Sequence, residues 1–267
     1  MSKPTSRYWQ ELTTEDFAAL DGERAVALLP VAAIEQHGPH LPVAVDAAIN
    51  AALVERLVAR APARLALLVL PMVAVGVSPE HADFPGTLTL SPETMLRVLS
   101  EIGDSVAAAG IRRLVFLNSH GGQPQLLDLA IQGLRRRHRM LAVAANAWRF
   151  WNAEGLFPAA ELRHGIHGGA VETSIMLHIR PDLVRREAIA NFASLSAELE
   201  GRFGRLTPFG RVGFGWQTQD LNPEGACGDA TLATAEHGAA LLDQATAALI
   251  ELLDEVARLP LEVMRSR

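Results

Sequence analysis

Cysteine is almost missing from this chain: Cys227 is the single one among 267 residues, which excludes an intrachain disulfide and any zinc site built from several thiolates. A lone cysteine is ordinarily a packed or loop residue rather than a nucleophile. Long apolar runs are absent as well. No stretch approaches the roughly 20 residues needed to cross a bilayer, and residues 1–9, Met-Ser-Lys-Pro-Thr-Ser-Arg-Tyr-Trp, have no apolar signal core. The expectation is a soluble, cytoplasmic protein. There is no basic excess either: Lys+Arg number 24 against 30 Asp+Glu, a net charge of −6, so the cationic footprint by which proteins neutralise nucleic-acid phosphates is lacking. Neither nucleic acid nor membrane is expected as a partner. We find no internal repeat, low-complexity segment or linker, and 267 residues at 49% hydrophobic content suit one large α/β core. Residues 1–267 are therefore read as one domain, whose chemistry falls to His, Asp and Glu.

Apolar runs at 25–30, 65–70, 113–118 and 140–147 read as buried strands. They alternate with helical patterns. Asp46 is placed to cap a helix over 47–60, Ser91 with Glu93 opens one that runs through 109, and 123–137 carries Leu126, Leu127, Leu129, Ala130 and Leu134 at helical spacing. Later helices are expected over 170–179 and 233–259, and 194–229 reads as a Gly-rich surface excursion. This order predicts an α/β fold, a mostly parallel, doubly wound sheet with helices on both faces.

Three motifs fall beside strand ends or helix starts. The first, Glu35-Gln-His-Gly-Pro-His-Leu-Pro-Val-Ala-Val-Asp46, follows the first strand and holds four potential metal ligands with stiffening or turn residues between them. An extended loop can aim Glu35 and His37 at one spot while the following helix brings Asp46 back, beyond a strand end, where open α/β sheets place their sites. The second, Leu117-Asn-Ser-His-Gly-Gly122, opens on the same sheet edge. His120 can thus approach the same volume, while Gly121 and Gly122 let backbone come close to a ligand. In the third, His164-Gly-Ile-His-Gly-Gly-Ala-Val-Glu-Thr-Ser174, His167 and Glu172 flank a helix start. Glu172 precedes a buried apolar run, so its carboxylate needs a partner, and a metal is one.

Together with Gly76-Val-Ser-Pro-Glu-His-Ala-Asp-Phe-Pro-Gly-Thr87 and Gly228-Asp-Ala-Thr-Leu-Ala-Thr-Ala-Glu-His-Gly238, these motifs resemble the creatininase, or creatinine amidohydrolase, family in their order and over roughly the whole chain. The resemblance implies a creatininase-like α/β fold, two divalent metals bridged by an aspartate, hydrolysis of cyclic or linear amides, and a homohexamer. Glu35, His37, Asp46 and His120 match metal ligands, Asp46 being the bridge. Glu172 matches an acid at the site, and His167 the histidine assigned to proton transfer. Creatininase itself follows the loop histidine with Tyr-Glu, the glutamate being a ligand, where this chain has Gly121-Gly122. Glu172 is therefore read as the replacement ligand. Creatininase also holds its substrate with a Trp-Asp pair where Arg163 and His164 stand here. Creatinine is accordingly not the expected substrate, and the glycine version resembles the wider family, including deformylases of formylated pyrimidine intermediates and the peptidase that trims the mycofactocin precursor.

Mixed imidazole and carboxylate ligation suits Zn²⁺, Mn²⁺ or Fe²⁺. An amide also needs a general acid for its poor leaving nitrogen, and His167, as an imidazole, titrates near neutrality. His40 is read as orienting the Glu35–His37 loop. Ser78, His81, Gly121, Gly122, Trp148 and His164 are read as substrate contacts, with Trp151 a second candidate for the pocket wall. Two other classes compete: a non-catalytic, metal-dependent small-molecule binding protein, and a serine hydrolase using Ser119 beside His120, for which no Gly-x-Ser-x-Gly elbow exists.

Overall fold

The computed structural model describes residues 6–209 and 212–265. In chain order it contains α1 (Thr14–Ala18), β1 (Val26–Val31), α2 (Val45–Arg60), β2 (Leu67–Val69), α3 (Pro92–Ala108), β3 (Arg113–Asn118), α4 (Pro124–His138), β4 (Leu141–Asn146), α5 (Ala159–His164), α6 (Ala170–Ile179), β5 (Asn191–Phe192), α7 (Leu195–Arg202), α8 (Thr218–Leu221), β6 (Gly228–Asp229) and α9 (Ala235–Arg258). Among these residues no helix is long and apolar enough to cross a membrane.

Four strands form a sheet in the order β2-β1-β3-β4, every pairing parallel. All residues of the central strands β1 and β3 are buried, which is why both appear in the sequence as unbroken apolar runs. Their side chains still alternate between faces. Val26, Leu28, Val115 and Leu117 pack with Leu53 of α2, Ile175 of α6 and Leu249 of α9, whereas Ala27, Leu29, Leu114 and Phe116 pack with Leu99 of α3 and Leu134 of α4. Each such fully buried Leu or Phe contributes roughly 1.5–3 kcal/mol. Pro30 is tolerated inside β1 because it faces the side where the regular ladder with β2 stops at Leu28 and Val69, and its C=O still accepts from Val73 N–H (3.0 Å).

From β1 the chain moves to β2 at one edge, then crosses back to β3 on the other side of β1. The C-terminal ends of β1 and β3 therefore lie side by side, Val31 opposite Asn118, and the connections leaving them part to opposite faces. That crevice is the topological switch point of the sheet.

Two local expectations are corrected. Asp46 does not cap α2: the cap position is Ala44, with no side-chain hydrogen bond, and Asp46 lies inside the first turn. Its carboxylate is turned into the crevice instead of back onto the backbone, where it still benefits from the positive end of the helix. The stretch 194–229 is only partly a surface excursion. Residues 201–206 are exposed, but Ser196, Thr218, Leu221, Ala226 and Cys227 are buried, because the second half folds back over the crevice.

Candidate metal centre

Three chain segments meet at the switch point. In the loop after β1, Glu35 N–H donates to Val43 C=O (2.9 Å) and a bridge pairs His37 with Leu41, closing a narrow hairpin. Gly38 makes its turn at φ 74°, where a Cβ would stand 2.8 Å from that of Ala226, so only glycine fits. Glu35 and His37 thus point inward, and the first turn of α2 returns Asp46. After β3, the Asn118 carboxamide accepts from His120 N–H (3.1 Å) and donates to His120 C=O (2.8 Å), fixing the turn that delivers His120. The loop before α6 carries His167, and the first turn of α6 carries Glu172.

Three groups of these side chains are close enough to hold an ion: Glu35, Asp46 and His120; His37, Asp46 and Glu172, which shares Asp46 with the first; and Glu35, His37 and His167. His120 Nδ1 is 3.1 Å from Glu35 Oε1 and 3.4 Å from Asp46 Oδ2. His37 Nε2 is 3.8 Å from both Asp46 Oδ1 and Glu172 Oε2. Atoms about 2.0–2.2 Å from one tetrahedral ion would be roughly 3.3–3.6 Å apart. The ring nitrogens facing the carboxylates are the bare ones in the neutral rings: His37 Nδ1–H donates to Glu35 C=O (3.0 Å), and His120 Nε2–H donates to Val77 C=O (2.9 Å). Lone pairs therefore meet lone pairs, and buried Glu35 Oε2, His37 Nε2 and Asp46 Oδ2 have no hydrogen-bond partner among the described residues. Positive charge relieves that arrangement, either as metal ions or as protons on the imidazoles.

Protons take the cations' place in the metal-free protein. Burial disfavours a charged His37, but Glu172 and Asp46 outweigh it and raise its pKa to about 9. At His120 burial is likewise overridden by Glu35 and Asp46, which hold it well above the ordinary imidazole value. Burial, with the Glu35 charge added, pushes Asp46 up to about 7. Glu35 is held well below the carboxylate range because His120 outweighs its burial. A carboxylate raised beside one lowered is the signature of charges crowded for a purpose.

His167 is buried and lies between two other imidazoles, its ring centroid 4.1 Å from that of His37 and 4.2 Å from that of His81. It donates Nε2–H to Gln36 C=O (2.6 Å) and leaves Nδ1 3.8 Å from Glu35 Oε1. Burial and the neighbouring His37 push it down to about 4, so the near-neutral titration natural to an imidazole is lost and the ring is uncharged at pH 7. His40 stands behind the centre: Nε2 pairs with Thr173 Oγ1 (2.9 Å) and the ring stacks on Phe192, tying the first loop to α6.

The remaining expected residues fall in several places. Ser78 is fully buried, its Oγ 3.3 Å from His120 Nε2, at the ring edge away from Glu35 and Asp46. Gly121 is exposed with open space beside it, whereas a Cβ on Gly122 would meet Glu80 Oε1 and the His120 ring. Trp148 is half-buried in a short turn just beyond β4, and Trp151 packs on the core. His164 is not brought to the cluster. Its ring nitrogens pair with Ser196 Oγ (2.9 Å) and Glu200 (3.1 Å), on a separate cavity of about 600 Å³ that also includes Arg163, Thr207, Phe209 and Val212. The reason is α5, which ends at His164 and turns the chain inward only afterwards. Ser119 Oγ donates to Asp46 C=O (2.9 Å) and not to His120, and Cys227 is buried with its thiol pushed up to about 11, so neither is an activated nucleophile. Gln36, Glu80 and Thr218 went unselected in the sequence. Gln36 and Glu80 sit inside motifs, but Thr218 carries no local signal.

A family profile described as creatinine amidohydrolase matches residues 10–253. The mycofactocin precursor peptide peptidase of Mycolicibacterium smegmatis is 36% identical over 217 residues, covering 80% of this chain and 78% of its own. The creatinine amidohydrolase of Pseudomonas putida is 32% identical over 198 residues, covering 68% and 75%. A solved manganese form of creatininase superposes with a TM-score of 0.76 at 26% identity, over 94% of this chain and 98% of that one. With its parallel sheet, its shared aspartate and its loop motifs in the same order, the chain belongs to the creatininase family of amide hydrolases.

Proposed function

We propose that this protein hydrolyses a linear amide, as in a small peptide, using two divalent ions held by Glu35, Asp46 and His120 on one side and by His37, Asp46 and Glu172 on the other. The observation that carries this reading is the division of Asp46: one oxygen faces His37 and the other faces His120, each opposite a bare ring nitrogen. Zn²⁺, Mn²⁺ or Fe²⁺ suits such donors, and a pair of them supplies an acidified water and a polarised carbonyl.

The chain's own residues handle the proton. Water attacking the carbonyl carbon gives up a proton to His167 Nδ1, which is bare because Nε2–H is committed to Gln36. His167 returns that proton to the amide nitrogen as the C–N bond breaks, so the nitrogen leaves as a neutral amine. Burial keeps bulk water from competing for the same proton.

A peptide is favoured over creatinine by two departures. Gly122 supplies no carboxylate after the loop histidine, and His164 is engaged by Ser196 and Glu200 away from the centre. The greater identity to the peptide peptidase than to the creatinine amidohydrolase supports the same choice. Zinc- or manganese-loaded protein should cleave a member of a panel of short peptides, formamides and lactams, with chelation abolishing turnover and creatinine hydrolysed far below an ordinary rate of roughly 10 s⁻¹. Metal-replete protein that cleaves no amide would make it a binding protein instead. Assembly as a homohexamer rests on the family resemblance and is read directly by light scattering.

A further inference from the structure

Beside His167 lies a second imidazole that the proton transfer does not use. His81 is buried, and its Nε2 points at the ligand cluster, 3.6 Å from Glu35 Oε1 and thus just outside hydrogen-bond reach. Which of its nitrogens carries the proton is settled by Gln36. The Gln36 carboxamide has one possible orientation, because Oε1 accepts from Gly38 N–H (2.9 Å), a donor only, and Nε2 donates to Gly225 C=O (2.7 Å), an acceptor only. The second amide hydrogen has two ring nitrogens near it, His81 Nδ1 at 2.8 Å and His167 Nε2 at 3.3 Å. His167 Nε2 already carries a hydrogen, since at 2.6 Å from Gln36 C=O it must be the donor. The amide hydrogen therefore goes to His81 Nδ1, which must be bare. The Thr218 hydroxyl, also 2.8 Å from Nδ1, sends its one hydrogen to Glu80 C=O (2.9 Å), so the hydrogen that Nδ1 accepts is that of Gln36. With Nδ1 an acceptor, His81 carries its proton on Nε2, on the side of the cluster.

We infer that His81 is a further catalytic residue, a neutral imidazole whose Nε2–H donates to the substrate's carbonyl oxygen as that oxygen gains charge, and that Gln36 is the positioning residue that fixes this tautomer. The assignment rests on the hydrolase reading above. Gln36 thereby gives the two stacked rings opposite polarity toward one substrate: His167 offers a lone pair to the water's proton, and His81 offers a hydrogen to the oxygen. No bond to His81 forms or breaks. A donor already in place, and unsatisfied until charge develops on the substrate, costs little reorganisation when the oxyanion forms.

The direct test is ¹⁵N spectroscopy of the histidine rings in metal-free and zinc-loaded protein, with His81 assigned by its loss in His81→Leu. The expected pattern is a protonated Nε2 and bare Nδ1 at His81, with Gln36→Glu, which replaces the amide donor by an acceptor, moving the proton to Nδ1. On an amide that the unmutated protein cleaves, His81→Leu and Gln36→Glu should lose about 10²–10³-fold in kcat at unchanged zinc content, and His81→Gln, which keeps an N–H near the same point, should recover part of it. A ring protonated on Nδ1 overturns the assignment whatever the enzyme hydrolyses, and so does a His81→Leu protein with undiminished kcat. If the unmutated, zinc-loaded protein cleaves nothing, the hydrolase reading has failed, and the ring spectrum still decides whether Gln36 sets the tautomer.

Discussion

A Cβ on Gly122 would collide with Glu80 Oε1, so the carboxylate of Glu80, on the loop after β2, occupies the room that a side chain after His120 would need. The same Cβ would lie 2.5 Å from His120 Nε2. Glu80 can swing away, but His120 is clamped by Val77 C=O. Gly122→Ala should therefore cost about 1–3 kcal/mol, seen as weaker zinc binding on the Glu35–His120 side and a lower melting temperature. Adding Glu80→Ala should restore only part of that loss. Full zinc affinity in the single variant would show that the loop has slack.

Because Asp46 belongs to both ligand sets, Asp46→Ala should lose both ions while His37→Ala mainly weakens one. Metal analysis after gel filtration distinguishes the two. A folded Asp46→Ala protein that retains two ions would remove the bridge from the assignment.

Metal uptake should release protons. His37, raised to about 9, is protonated in the metal-free protein at pH 8, His120 is shifted the same way by Glu35 and Asp46, and both must be bare to ligate. The loaded state holds fewer protons than the free one, so raising the pH favours loading, and the part owed to His37 is exhausted above about pH 9, where that ring has lost its proton unaided. Zinc titration in a weakly buffered indicator at pH 8 should release about 2 protons per filled chain. No release would mean that the ligands are already neutral.

His167→Ala should keep its full metal content and much of its substrate binding while losing about 10²–10⁴-fold in kcat. The proximity of His167 Nδ1 to Glu35 makes metal analysis the sharper readout. If the metal content falls by half, His167 is a ligand and the proton carrier is another group.

Strand and helix positions were legible because burial on both faces leaves continuous apolar runs and amphipathic helices leave a 3.6-residue period. The helix over 170–179 matches α6 residue for residue, and 113–118 matches β3. The ligand types were legible for a related reason: Glu35, His37, Asp46 and His120 follow the two strands whose ends adjoin at the switch point, and few other polar residues share those loops. The direction of each carboxylate was not legible. Asp46 looked like a helix cap because spacing reports position along the chain and not the rotamer, and only the packed crevice turned its two oxygens to two different histidines.

By itself the sequence determined the α/β class and excluded a disulfide or a multi-thiolate site, since these follow from composition and local periodicity, while its motifs and their resemblance to a family marked the candidate ligands. Tertiary structure alone decided that Gln36 meets His81, 45 residues away, and Gly225, 189 residues away, that Thr218 reaches the same ring, and that His164 stands apart on its own cavity. Those hydrogen bonds join loops that touch only after the sheet has formed and its helices have docked, and which nitrogen of a ring carries the proton depends on what the folded chain places against the other.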